Sequence, residues 1–138
     1  MNIIIVGAGK VGLTLTRQLL AEHRITLIDQ NAQLIDNIVN IYDVLAVCGN
    51  GASYEVQTEA EAAKADLLIA TTTSDEINIL ACLVAKKLGV RHTIATFGIP
   101  NTKSNCVSCA GNWGCRWRLT RRKSRRVKSP GFCVSPPL

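Results

Sequence analysis

Over residues 1–96 the apolar positions switch repeatedly between two periods. Residues 2–6, Asn2 followed by Ile3-Ile4-Ile5-Val6, form an apolar, β-branched run, the pattern of a strand buried on both faces. Residues 10–22 then place Val11, Leu15, Leu19 and Leu20 at helical spacing. The alternation continues with a strand at 24–28, a helix at 32–41 with Asn31 as N-cap, and a strand at 44–47. A Gly49-Asn50-Gly51 turn leads to a helix at 53–63. A fourth strand is expected at 66–70, its leading Asp marking the edge of the sheet, then a long helix at 75–88 closed by Gly89, and a fifth strand at 91–95. Five strands alternating with four helices predict an α/β fold: a Rossmann-like, doubly wound parallel sheet with right-handed crossovers and helices on both faces.

After Thr96 neither period continues. Residues 97–138 mix Arg, Cys, Trp, Ser, Gly and Pro and are expected to form an irregular, disordered tail outside the 1–96 domain. Charge divides at the same place. Residues 1–96 carry seven Lys and Arg against all ten Asp and Glu, whereas 97–138 carry nine basic residues and no acid. The net charge of +6 therefore describes neither part. With 4% aromatic residues, the core must be aliphatic. The start Met-Asn-Ile-Ile-Ile-Val-Gly has no basic leader or cleavage site, and its apolar run is far below the roughly 20 residues that span a bilayer, so a cytoplasmic chain is expected. Cys48 and Cys82 lie in apolar stretches and read as buried thiols.

The loop Gly7-Ala8-Gly9-Lys10-Val11-Gly12 fits G-x-G-x-x-G between a strand and a helix, the context that gives the motif meaning. Gly7 permits the tight turn, Gly9 lets the backbone approach a pyrophosphate, and Gly12 lets the helix pack on the sheet. The helix start offers free N–H groups to phosphates. Asp29, at the end of the second strand, stands where a carboxylate binds the ribose 2′-hydroxyl, which favours NAD(H) over NADP(H). Gly49-Asn50-Gly51 and Thr71-Thr72-Thr73 fall at strand C-termini, where open α/β sheets bind ligands; each also reads as ordinary turn and capping chemistry. Lys10 reads first as a solvated lysine, and His23 and His92 as structural. No catalytic set and no metal cluster is evident in 1–96.

Together these segments resemble the N-terminal nucleotide-binding domain of the RCK/KTN family, the cytoplasmic regulators of Trk-type potassium uptake. The resemblance is carried by residues 1–12, Asp29, Val47-Cys48-Gly49-Asn50-Gly51-Ala52, Ala65-Asp66-Leu67-Leu68-Ile69-Ala70 and Thr73-Ser74-Asp75-Glu76-Ile77-Asn78 leading to Ala85-Lys86. The last segment is its most specific element. The resemblance implies a ligand sensor without chemistry of its own, not an enzyme. The ligand would be NAD(H), or ATP or ADP as in relatives. The implied partner is a membrane potassium-translocating subunit of Trk type, which would hold the chain at the inner face of the membrane. A homodimer or tetramer is implied for the intact family member. It further implies Gly7, Ala8, Gly9, Lys10 and Val11 on the pyrophosphate, with Gly12 completing the loop, and Asp29 on the adenosine ribose. Gly49 and Asn50 would lie near the adenine, and Thr72 and Thr73 near the far half of the ligand. Asp75 and Asn78 would shape the helix start.

The sequence departs from the family after strand five. Where the family reads Ala-Arg-x-Arg-x-Pro-Glu-Tyr, this chain reads Ala95-Thr96-Phe97-Gly98-Ile99-Pro100-Asn101-Thr102. In a shifted reading frame, Phe97 to Lys103 can spell Ile-Arg-Asn-Pro-Glu-Tyr-Lys, so a frameshifted, non-native tail on a truncated domain is expected. Two other readings of the tail are a zinc site from Cys106, Cys109, Cys115 and Cys133, and nucleic-acid binding through Trp113, Trp117 and the arginines between 116 and 126. Neither is favoured, and no nucleic-acid partner is expected. The alternative for the whole chain is the cofactor domain of an NAD-dependent dehydrogenase fragment, which hydride transfer would reveal.

Overall fold

The computed structural model describes residues 1–97 and the backbone of 106–108. The chain runs β1 (Asn2–Val6), α1 (Lys10–Leu19), β2 (Arg24–Asp29), α2 (Ala32–Ile41), β3 (Leu45–Cys48), α3 (Tyr54–Glu59), a 3-10 turn (Ala62–Lys64), β4 (Leu67–Ala70), α4 (Asp75–Leu88), β5 (His92–Thr96) and β6 (Cys106–Ser108). The sheet order is β3-β2-β1-β4-β5-β6, and the first five strands are parallel. β6 pairs antiparallel with β5, from Ile94 opposite Ser108 to Thr96 opposite Cys106. The sheet thus gains a short strand from the region expected to lack regular structure. The remaining expectations for the tail, including its disorder, its non-native origin, the zinc set and the nucleic-acid patch, lie outside the described residues.

Alternate strand residues face opposite sides, and the two sides carry separate cores. Ile3 and Ile5 of β1 join Ile25, Leu27, Ile35 and Ile38 beneath α1 and α2. Ile4 and Val6 join Leu68, Ala70, Ala81, Cys82 and Ala85 beneath α3 and α4. The second face is built mainly from alanines, which lets α4 lie close to the strands. Because both faces of β1 are covered, its four residues Ile3 to Val6 are all buried and show no alternation, as the sequence predicts.

Two helices depart from their expected bounds, while strand ends shift by one residue at most. α1 stops at Leu19, and 20–22 turn back through His23 N–H donating to the Leu19 carbonyl (3.0 Å). The helix expected over 53–63 is broken: α3 ends at Glu59, and Glu61 takes a left-handed conformation (φ 57°) before the 3-10 turn. The reason is burial. Ala60 and Ala62 are both in the core, yet residues two apart on an α-helix point about 200° away from each other. Cys48 is exposed, contrary to expectation, because it ends the edge strand β3; Cys82 is buried. Asp66 does lie at the rim of the sheet, accepting from Asn2 N–H (3.0 Å), although the strand it precedes is central. Among the described residues no helix is long and apolar enough to cross a membrane.

Candidate nucleotide-binding cleft

The chain leaves β1 toward β2 and β3, then crosses back to place β4 on the other side of β1. Loops at the C-terminal ends of β1 and β4 therefore diverge, and ligands of open α/β sheets sit in the crevice this opens. An open cleft of about 280 Å³ occupies that position. The loops after β1, β3 and β4 wall it together with residues 29–31 at the end of β2, and each is held by identifiable bonds.

The first is the glycine loop. Gly7 has φ +100° and donates to the Ile28 carbonyl (2.8 Å). Gly12 packs so closely that an added Cβ would fall 1.9 Å from the Gly7 carbonyl oxygen. At Gly9, the N-cap of α1, an added Cβ would meet nothing within 4 Å. The loop is thus tight beneath Gly7 and Gly12 and open above Gly9. The first-turn N–H groups of α1 have no partner within the helix and leave a positive dipole end here.

Asp29 ties the loop to β2. Its Oδ2 accepts from Ala8 N–H (2.7 Å) and its Oδ1 from Asn31 N–H (2.8 Å). An ionised carboxylate has about four acceptor sites, so these two bonds leave room for ribose hydroxyls. Among the described residues, Asp29 is the only charged one lining the cleft. Phosphates in it would be met by backbone N–H groups rather than by lysine or arginine among the described residues.

The second wall is the turn after β3. Asn50 folds over itself, its Oδ1 accepting from Ala52 N–H (2.9 Å). Gly51 is compelled by packing, since a Cβ would fall 2.0 Å from Val6 Cγ1. Its carbonyl accepts from the buried Gln57 Nε2 (2.7 Å), which also donates to the Ala81 carbonyl (2.8 Å). The third wall follows β4. Thr71 Oγ1 lies 3.1 Å from the carbonyl oxygens of both Val6 and Gly7, joining this loop to the glycine loop. Thr72 is held on both sides of its backbone by the buried Asn78. Ser74 caps α4, accepting from Ile77 N–H (3.3 Å) and donating to Glu76 Oε2 (2.8 Å). The backbone N–H of Glu76 itself, and then the Ser74 hydroxyl, hold the Glu76 carboxyl below its usual range.

Of the residues singled out from the sequence, Gly7, Gly9, Asp29, Gly49, Asn50, Thr72 and Thr73 line the cleft. Ala8, Lys10, Val11 and Gly12 do not. Ala8 is buried with its N–H committed to Asp29, Lys10 is exposed, and Gly12 is spent on packing. Gly51 and Thr71, from the two turns read in the sequence, also line it, and the structure adds Gln30, Asn31, Leu34 and Ile77. Gln57 stands behind it. Nothing in the sequence marks Gln57, because a polar residue inside a short helix reads as surface.

The model of the TrkA-N domain matches residues 3–104. A Trk system potassium uptake protein TrkA homolog of Methanothermobacter thermautotrophicus is 35% identical over 102 residues, 73% of this chain and 47% of that protein. The Trk system potassium uptake protein TrkA of Haemophilus influenzae is 45% identical over 83 residues, 59% of this chain and 18% of that protein. The chain thus spans from under a fifth to about half the length of these relatives. Among solved structures, the GsuK channel bound to NAD superposes with a TM-score of 0.57 at 25% identity, covering 63% of this chain and 16% of that one. The match extends past Thr96, and so past the boundary that composition marks. With the strand order, the glycine loop and the Thr73–Asn78 segment in place, the chain belongs to the TrkA-N domain family.

Proposed function

We propose that this chain is the NAD(H)-binding part of a regulator of potassium uptake, acting through a Trk-type membrane transporter and without chemistry of its own. The supporting observation is the cleft. Its phosphate end is backbone N–H and helix terminus, its ribose end is a prearranged carboxylate, and Asp29 is the only acid or base among its lining residues. The names of the relatives at 35% and 45% identity, and of the NAD-bound channel, support the assignment to potassium transport. In this reading Gly7 and Gly9 approach the pyrophosphate together with the amides of Lys10 and Val11. Ala8 and Gly12 act by shaping the loop. Asp29 takes the adenosine ribose, Gly49 and Asn50 flank the adenine, and Thr72 and Thr73 meet the far half. ATP or ADP would occupy the adenosine end. The chain sits at the inner face of the membrane by virtue of its transporter, and the whole regulator is a dimer or tetramer.

Calorimetric titration of the purified chain with NADH, NADPH and ATP tests this. A 2′-phosphate would bring its negative charge beside Asp29 with no lining cation to offset it. NADH is therefore expected to bind at least about tenfold more tightly than NADPH, or ~1.4 kcal/mol. Equal affinity would contradict the role of Asp29, and hydride transfer to an added acceptor would contradict the regulatory reading.

A further inference from the structure

We propose that Asn78 is a positioning residue through which occupancy of the cleft is passed to the C-terminal end of β5, with Gln57 bringing the opposite cleft wall onto the same helix. This rests on nucleotide binding in the cleft.

Asn78 is fully buried in the first turn of α4, but it is not the cap, a role that Ser74 fills. A primary amide has two donors and two acceptor sites, and all four are used. Oδ1 lies 2.9 Å from Thr72 N and 2.7 Å from Thr72 Oγ1. Nδ2 donates to the Thr72 carbonyl (3.1 Å) and to the Thr96 carbonyl (2.7 Å). One side chain therefore grips both sides of a residue that lines the cleft, and at the same time the last residue of β5. Thr96 is tied in turn to β4, its Oγ1 donating to the Ala70 carbonyl (3.1 Å). Phe97, next along, packs on the core beneath α4. A fully satisfied buried network has few alternative arrangements. Thr72 cannot move without carrying the Thr96 carbonyl with it or breaking that bond.

Gln57 supplies the second arm. Its Nε2 joins the Gly51 carbonyl in the turn after β3 to the Ala81 carbonyl of α4. Ala81 lies three residues after Asn78, on the same helix face. Gln57 Oε1 is buried without a partner. An apolar side chain would fill the space without that penalty, so the two donor bonds are what the glutamine contributes. Both cleft walls thus converge on one face of α4, and from there on the strand that leads out of the parallel sheet.

Hydrogen exchange of the full chain, with and without saturating NADH, tests the coupling. In the wild type, NADH is expected to slow exchange at residues 7–12 and at 94–97 with one midpoint. Asn78→Asp keeps the acceptor for Thr72 N–H and removes the donor to the Thr72 and Thr96 carbonyls. At NADH concentrations chosen to saturate the variant, residues 7–12 should stay protected, while the added protection at 94–97 falls roughly fivefold or more, the low end of ordinary coupling between sites. Undiminished protection at 94–97 in the variant would overturn the proposal. So would a wild type protected at 7–12 alone. A wild type protected nowhere would instead overturn the nucleotide reading, and this one with it. A second measurement does not depend on the variant folding. The Asn78 side-chain ¹⁵N resonance of the wild type should shift with the same NADH midpoint as the Gly9 amide, and an unmoved resonance at saturation would refute the coupling.

Discussion

A methyl group added at Gly9 enters open space, whereas one added at Gly12 falls 1.9 Å from the Gly7 carbonyl. The same substitution should therefore separate binding from folding. Gly9→Ala is expected to leave stability within about 0.5 kcal/mol of the wild type and to weaken NADH binding about tenfold, because the space it fills is the ligand's. Gly12→Ala should cost about 1–3 kcal/mol through overpacking, whether or not ligand is present. Urea unfolding and NADH titration of both variants check this; a Gly9→Ala protein that binds like the wild type would remove Gly9 from the site. The motif made these glycines visible in the sequence, but it could not divide the work among them. That division depends on which neighbour each Cα faces. Asp29 shows the same limit. Its place at the end of β2 was legible, while its bonds to Ala8 and Asn31, which make it a brace for the loop as well as a candidate ribose partner, depend on how two segments meet.

Elements with one clear period were read closely. β1 and α2 have the expected bounds, and α4 runs Asp75–Leu88 with its stop at Gly89. Gly89 has φ +104°, and Val90 N–H bonds back to the Ala85 carbonyl (3.0 Å), the 6→1 bond of a Schellman cap. An added Cβ there meets nothing within 4 Å, so Gly89→Ala isolates the backbone cost. It should lower unfolding free energy by about 1–2 kcal/mol with no change in NADH affinity at 25 °C. A neutral result in urea unfolding would mean that the cap does not hold α4. The region 53–64 was illegible because Ala, Glu and Lys suit an unbroken helix locally, while burial of both Ala60 and Ala62 overrides that preference. Gln57 was hidden for a related reason: its partners, Gly51 and Ala81, lie on other elements.

At the scale of the molecule, a two-faced aliphatic sheet carries its cleft where the strand order reverses, and both alternating periods and glycine spacing pointed to that architecture. β6 was not foreseen, since a three-residue strand has no period to read and is defined only by pairing with β5. The proposed ligand of the crevice above β1, β2 and β4 is an adenine dinucleotide. The most direct test is an NADH titration of the ¹⁵N-labelled full chain followed by amide resonances. Gly9, Gln30, Asn31, Asn50, Thr72 and Thr73 should shift together with one midpoint, while residues at the opposite rim, such as Lys64 and Asp66, stay in place. Saturating NADH that leaves the cleft amides unmoved, or that shifts only the opposite rim, would contradict it.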